Sequence, residues 1–294
     1  MATTEKVMSP LVKNAARIIT NIAPERGKEL AEDIFGSGKW TLATCSGKAN
    51  FYGDPQEHTV TLSFAGMASV WCLAYVAYHI VDIGSRAQRA PKIPGQTVID
   101  IGLEYSKLNL NEYLDYAQAL FKADQPWCSV LTQPNVAACP ASEDERINNV
   151  FYGALSWILL HEVGHVHHEH LELIPADQRV RQEYQADNFA TTWVLDQAGN
   201  GLQLEFRVLM ISVALTWLFL SERAVGKGQN HPSAVLRFRE ATNLFETGAR
   251  SVEIEYASYL FKAVLDPTTD TPIFDNSADL FKWVGQRLEE LFPV

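Results

Sequence analysis

Positive charge is scarce in this chain: lysine and arginine total 24 against 35 acidic residues, for a formal net charge of −11. That balance argues against a nucleic-acid binder, since phosphate backbones require Lys and Arg. It equally disfavours anionic membrane surfaces. Cysteine is sparse and lacks any CxxC pairing. Cys45, Cys72, Cys128 and Cys139 therefore read as reduced thiols of a cytosolic protein, with a Cys128–Cys139 bridge as the lesser alternative. No basic segment followed by an apolar run and a cleavage site opens the sequence, so export is not expected. Internal repeats and low-complexity tracts are missing as well.

Two stretches lack charge rather than a residue type. Residues 59–81 contain no Asp, Glu, Lys or Arg, and Val208–Leu220 is an apolar run. The first starts with strand-like alternation at Val60, Leu62 and Phe64. It then changes to helical spacing through Met67, Val70, Trp71, Ala74, Tyr75 and Tyr78, in a helical part short for a membrane span. The second is too short to cross hydrocarbon and is flanked by Glu205, Arg207, Glu222 and Arg223. Both are expected to be buried helices, and membrane association is not expected.

An apolar content of 47% over 294 residues is ample for a continuous core. Residues 1–141 read as an α+β part: a helix near 10–33, strands near 40–44 and 58–64, the apolar helix, then a looser proline-punctuated region over 89–141 with one helical patch at 108–122. Residues 142–294 read as nearly all helix, ending in segments 251–265 and 278–291. The two parts are expected to form one compact unit of predominantly α-helical α+β class, with the looser region beside or over a substrate cleft.

The most informative string is His161-Glu162-Val163-Gly164-His165. On a helix, residues four apart sit one turn above each other, so His161 and His165 can aim ring nitrogens at one ion. Zinc suits two imidazoles. Glu162 can then take a proton from a water on the open side of that ion, as a general base. The apolar run 151–160 leads straight into His161, as in a buried helix that delivers ligands to an interior cleft, and Ser142 with Glu145 fits a capping box at its start. His167, His168 and His170 follow. His168 is roughly 10 Å along the axis from His161, too far to join the same ion. The three read as a polar helix end where imidazolium suits the dipole.

A catalytic zinc needs one more protein ligand. A metzincin site is excluded, because it requires Gly at 168 and His at 171, where this chain has His168 and Leu171. The next helical segment, from Pro175 to a C-cap near Gly199, carries Glu183 and Asp187 at i,i+4 on one face. Glu172, seven residues past His165, is the weaker alternative. A Glu eighteen residues after the second His, with an Asp one turn later, resembles the gluzincin peptidases. That resemblance implies that Glu183 binds the metal and that Asp187 orients a ligand histidine, fixing its tautomer by accepting its far N–H. Residues 230–237 carry His231-Pro232 with an Arg six residues after the His, as in several gluzincin families near the start of a late helix. Pro232 suits a first turn. His231 is the candidate donor to the oxyanion of a tetrahedral intermediate.

Residues 156–166, 182–187 and 190–195, followed by His231-Pro232, together resemble the Lit family of phage-exclusion peptidases in wording, order and spacing. The resemblance implies a gluzincin-like zinc metallopeptidase core with a small N-terminal β element and one zinc ion. It further implies a latent cytoplasmic endopeptidase, switched on by a phage-derived activator, that cleaves elongation factor Tu and stops translation. The first forty residues and the histidine-rich segment are this chain's own, which leaves trigger and target open. Two other readings share the site: a repressor-cleaving or housekeeping gluzincin, and a metal-binding phage sensor without turnover. Glu162 speaks against the sensor, since a purely structural zinc has no use for it.

Overall fold

The computed structural model describes residues 2–30, 32, 40–89, 101–170, 174–228, 231–245, 248 and 250–294. In chain order the elements are α1 (Thr4–Ile22), a 3₁₀ turn (Pro24–Arg26), α2 (Gly27–Glu29), β1 (Thr41–Cys45), β2 (Phe51–Asp54), β3 (Thr59–Ser63), α3 (Phe64–Arg89), α4 (Ile101–Lys107), α5 (Leu110–Leu120) and α6 (Glu143–His167). After them come α7 (Ala176–Leu195), α8 (Leu202–Val225), α9 (Ala234–Thr242), α10 (Val252–Leu265) and α11 (Ser277–Leu291). The chain is mainly helical with one small sheet, as its α+β reading anticipates.

Helix α6 is the axis of the molecule. Its middle is apolar on every side, with Phe151, Ala154, Leu155, Trp157, Leu159 and Leu160 all buried, so it must be surrounded. α1, α3, α7 and α8 pack around it, and β2 lies along its C-terminal half. Ser142 caps its start by accepting the Glu145 N–H at 3.2 Å. The Glu145 carboxylate reaches back to the N–H of Ala141, one residue beyond the usual capping-box donor.

The sheet has the order β1-β3-β2. β1 runs parallel to β3 with Thr41 opposite Thr59, and β2 runs antiparallel to it with Phe51 opposite Leu62. β3 passes directly into α3 at Phe64, which anchors the sheet to the helical layer. α3 and α8 are long and apolar enough to cross a membrane by length and composition alone. The most apolar windows of these two helices are 83% and 67% buried within the protein, so their hydrophobicity is spent on the core.

Several boundaries differ from those read in the sequence. α1 starts at Thr4 and passes through Pro10, because Val7 and Met8 already belong to its buried stripe. It ends at Ile22, before Pro24 opens a 3₁₀ turn. Residues 33–39 lie outside the described part. β2 went unread because four residues with a glycine among them show no alternation. α4 also went unread; residues 90–100 before it are not among those described. The helix that begins in the charge-free stretch does not end with it: α3 continues through Asp82 and Arg86 to Arg89 and is 26 residues long, not short. α7 ends at Leu195, and Gly199, at φ +68°, turns the chain toward α8 instead of capping α7. Ser233 is the cap of α9, so Pro232 precedes the helix and is not in its first turn, and Pro175 is the cap of α7 and likewise not a first-turn residue. All four cysteines are free thiols.

Candidate active site

α6 and α7 cross closely enough to share polar side chains because Gly164 faces α7. A Cβ at position 164 would lie 3.2 Å from both the Ala186 Cα and the Phe189 ring. This contact puts Glu183 and Asp187 over the last two turns of α6. His161 Nε2 and His165 Nε2 are 3.1 Å apart. Glu183 Oε2 is 3.5 Å from the first and Glu183 Oε1 3.6 Å from the second. One donor atom from each residue lies within 4.8 Å of the others.

These separations resemble the roughly 3.3 Å between two ligand atoms of a tetrahedral zinc. Glu183 Oε2 is buried without a hydrogen-bond partner among the described residues, a position that only a cation or added donor would satisfy. Two imidazole nitrogens and a carboxylate oxygen converging around an unsatisfied buried oxygen are a donor set able to hold a metal ion.

Asp187, fully buried, accepts from His161 Nδ1 at 2.9 Å. It is also gripped by Arg237 of α9, with Nε to Oδ2 at 2.7 Å and Nη2 to Oδ1 at 2.6 Å. A proton on Nδ1 leaves the Nε2 lone pair of His161 pointing at Glu183 and His165. Arg237 Nη1 lies 3.8 Å from Glu183 Oε2. His231, at the exposed mouth of the cleft, donates from Nδ1 toward Glu183 Oε1 at 2.9 Å. Glu162, beside these groups, accepts the N–H of Gly53 from β2 at 2.8 Å.

Five of the six residues singled out in the sequence, His161, Glu162, His165, Glu183 and His231, line one cleft of about 740 Å³, and Asp187 is buried behind it against His161. Glu172 lies outside the described residues. Sequence reasoning gave no role to Arg237, although it named an arginine at that spacing. It missed Gly53, which carries no chemical signature, and it misplaced His170, which is buried, whereas His167 and His168 do stand at the helix end. Burial pushes the His168 and His170 imidazoles below their ordinary range, so they are neutral near pH 7. His170 does not sit at the open helix end, because the chain folds it back against His165 and Gln185.

Electrostatics sort the remaining groups. Burial and then His161 press His165 down to about 3. For His161, burial and Arg237 oppose protonation, but Asp187 and Glu162 outweigh them and raise it. Burial opposes ionisation of Glu183, yet His231, His161 and Arg237 hold its carboxyl well below the usual range. Asp187 is likewise held low by Arg237 and His161 against its burial. Glu162 is raised, first by burial and then by the charge of Glu183.

A pH prediction follows for the metal-free protein. His165, His168, His170 and His79 are all depressed by burial, so as pH falls through about 6.5 the unfolded chain takes up protons that the folded chain refuses. Stability is therefore lost from about pH 6.5 downward, completely for His165 only near its folded value of about 3. Raised His161 and Glu162 oppose this trend but are fewer. The expected loss between pH 7.5 and 5 is on the order of a few kcal/mol. Thermal melting across that range measures it, and a flat Tm would contradict it.

Gly53 yields a second prediction. A Cβ there would sit 2.6 Å from the Glu162 carbonyl oxygen and 3.2 Å from the Val166 side chain. Gly53→Ala must displace β2 from α6, at a cost of roughly 1–3 kcal/mol, and stretch the Gly53–Glu162 bond. Chemical denaturation gives the first effect, and loss of hydrogen-exchange protection at residue 53 the second. Unchanged stability would show that β2 is not held against α6.

The family model described as Peptidase U49 matches residues 60–258, a span that includes every site residue above except Gly53. The cell death peptidase of Escherichia coli (strain K12) is 24% identical to this chain over 163 residues, which are 54% of this chain and 53% of that protein. The chain thus spans about half the length of the curated relative it matches. No solved structure matches.

Proposed function

The chain belongs to the peptidase U49 family, and within that premise we propose that it is a zinc-dependent endopeptidase of gluzincin type that cuts a cytosolic protein. The observation that carries the reading is the convergence of His161, His165 and Glu183 on one point with the Glu162 carboxylate beside it. His161, His165 and Glu183 would hold the zinc, which would supply Lewis-acid polarisation and a lowered pKa for water near neutral pH.

The chain's own residues do the rest. Asp187 keeps the His161 proton on Nδ1, and Arg237 keeps Asp187 ionised and fixed. Glu162 takes the proton of the attacking water onto its carboxylate and hands it to the leaving amine nitrogen. Its raised pKa brings a carboxylate nearer the value that suits both halves of this transfer. His231, held by Glu183, is placed to donate to the carbonyl oxygen as negative charge develops there.

β2 borders the cleft through Phe51, Tyr52 and Gly53. Its outer edge has no strand neighbour among the described residues, so an extended substrate backbone can add along it. A protein substrate fits such an open edge better than a small molecule does.

Elongation factor Tu, cleaved in the cytoplasm once a phage product activates the enzyme, is the proposed target, on the resemblance to the Lit family. The test is zinc content of the purified chain, together with cleavage of elongation factor Tu with and without phage lysate. Cleavage that chelation abolishes and added zinc restores supports the whole reading. Zinc bound without cleavage of this factor keeps the metal site and sinks the target. No zinc uptake sinks the metallopeptidase.

A further inference from the structure

His170 is a buried imidazole to which the proposed mechanism gives no task. It reaches the site through the way α6 ends. His168 is the cap residue, Glu169 follows at φ +52°, and the chain then reverses. The N–H of Glu169 bonds the Val166 carbonyl at 3.2 Å, and the N–H of His170 bonds the His165 carbonyl at 3.0 Å. These are the two bonds of a Schellman termination, which brings the side chain of the second residue beyond the cap against the third-last residue of the helix. An apolar contact usually fills that position. Here two imidazoles occupy it, with His170 Nδ1 2.9 Å from His165 Nδ1. On its far side His170 Nε2 lies 3.1 Å from Gln185 Oε1 of α7.

Two nitrogens at that distance share one proton, and the two ends of the chain of contacts decide where it sits. Gln185 Oε1 accepts, so His170 carries its proton on Nε2 and presents a lone pair at Nδ1. His165 must then donate from Nδ1, which frees its Nε2 lone pair toward His161 and Glu183. The opposite placement puts a proton on His165 Nε2, where no ligand function is possible.

We propose that His170 is a positioning residue: with Gln185 behind it, it fixes the tautomer and ring orientation of His165 as Asp187 does for His161. The inference rests on the metal-site reading above. It makes the site asymmetric, with a charged carboxylate behind one imidazole and a neutral imidazole behind the other. Ligands backed by such partners bind more tightly because the correct tautomer is already in place.

The test compares zinc affinity of the native chain with His170→Leu, which keeps bulk but removes the acceptor, and with His170→Asn, whose amide oxygen falls close to the Nδ1 position. Expected are a roughly 10–100-fold loss in the Leu variant and recovery of most of it in the Asn variant. Nitrogen-15 histidine NMR of the zinc-loaded native chain supplies a readout that needs no variant. The His165 Nδ1 proton should couple through the hydrogen bond to His170 Nδ1, and His170 should be protonated at Nε2.

Equal affinity in all three proteins, equal loss in both variants, or a proton on His170 Nδ1 overturns the proposal while leaving the metal site intact. A native chain that takes up no zinc overturns both. If His170→Leu fails to fold, the NMR assignment decides alone.

Discussion

Glu162→Gln is expected to lower the rate of peptide-bond hydrolysis by roughly 10²–10⁴-fold, the contribution of a positioned general base, with zinc uptake unchanged. The substitution isolates one function. Glutamine has the same shape, and its amide oxygen can still accept the Gly53 N–H that the carboxylate accepts at 2.8 Å, so β2 stays in place. It cannot take a proton from water. The native carboxylate is raised in pKa by burial and by Glu183, so its neutral replacement should not weaken the fold. The loss should appear in kcat and in kcat/KM alike, since the proton is transferred only in the transition state. Measured zinc content and Tm should match the native chain. Cleavage within about threefold of native would remove Glu162 from the base role and move suspicion to another group in the cleft.

The second large effect is on stability. Arg237→Met should destabilise the protein by about 3–5 kcal/mol, the usual consequence of removing one partner from a buried ion pair. Asp187 is 1% exposed and Arg237 is 7% exposed. Without the guanidinium, the Asp187 carboxylate loses two short charge-assisted bonds, and Glu183 loses a nearby cation. A fall in Tm on the order of 10 °C is expected. Adding Asp187→Leu should recover part of the stability, because no buried charge is then stranded. It should not recover zinc affinity, because His161 has lost the acceptor at Nδ1. A thermal melt and a zinc titration on both variants separate the two outcomes. Native-like melting of Arg237→Met would mean that water solvates Asp187, and the site would then be more open than its burial indicates.

These two residues illustrate what could be read in the chain beforehand. Glu162 was legible because its role follows from its neighbours: three residues within one helical turn define a ligand pair and a base. Asp187 and Glu183 were legible only by resemblance, since two carboxylates at i,i+4 look the same on a solvated face. Arg237 was visible as a spacing but not as a partner, because Asp187 lies 50 residues away in the chain. Gly53 was invisible. It meets Glu162 across 109 residues, through a strand too short to show periodicity. His170 was misplaced for a local reason, as a left-handed Glu169 gives no sign in sequence that the helix will reverse there.

By itself, then, the sequence determined the helical character of the second half, the burial of two apolar segments, and the placement of His161 and His165 on one helix face with Glu162 one position round. All of these depend on composition or on spacing within a few turns, where backbone geometry alone sets which side chains are neighbours. Tertiary structure decided the rest. Whether Glu183 reaches the histidines, whether Asp187 is buried against Arg237, and whether β2 and His170 close on the cleft depend on how closely α6, α7 and α9 approach. That distance is set by the small residues Gly164 and Ala186 and by a helix termination, and its energy comes from packing that no single segment contains.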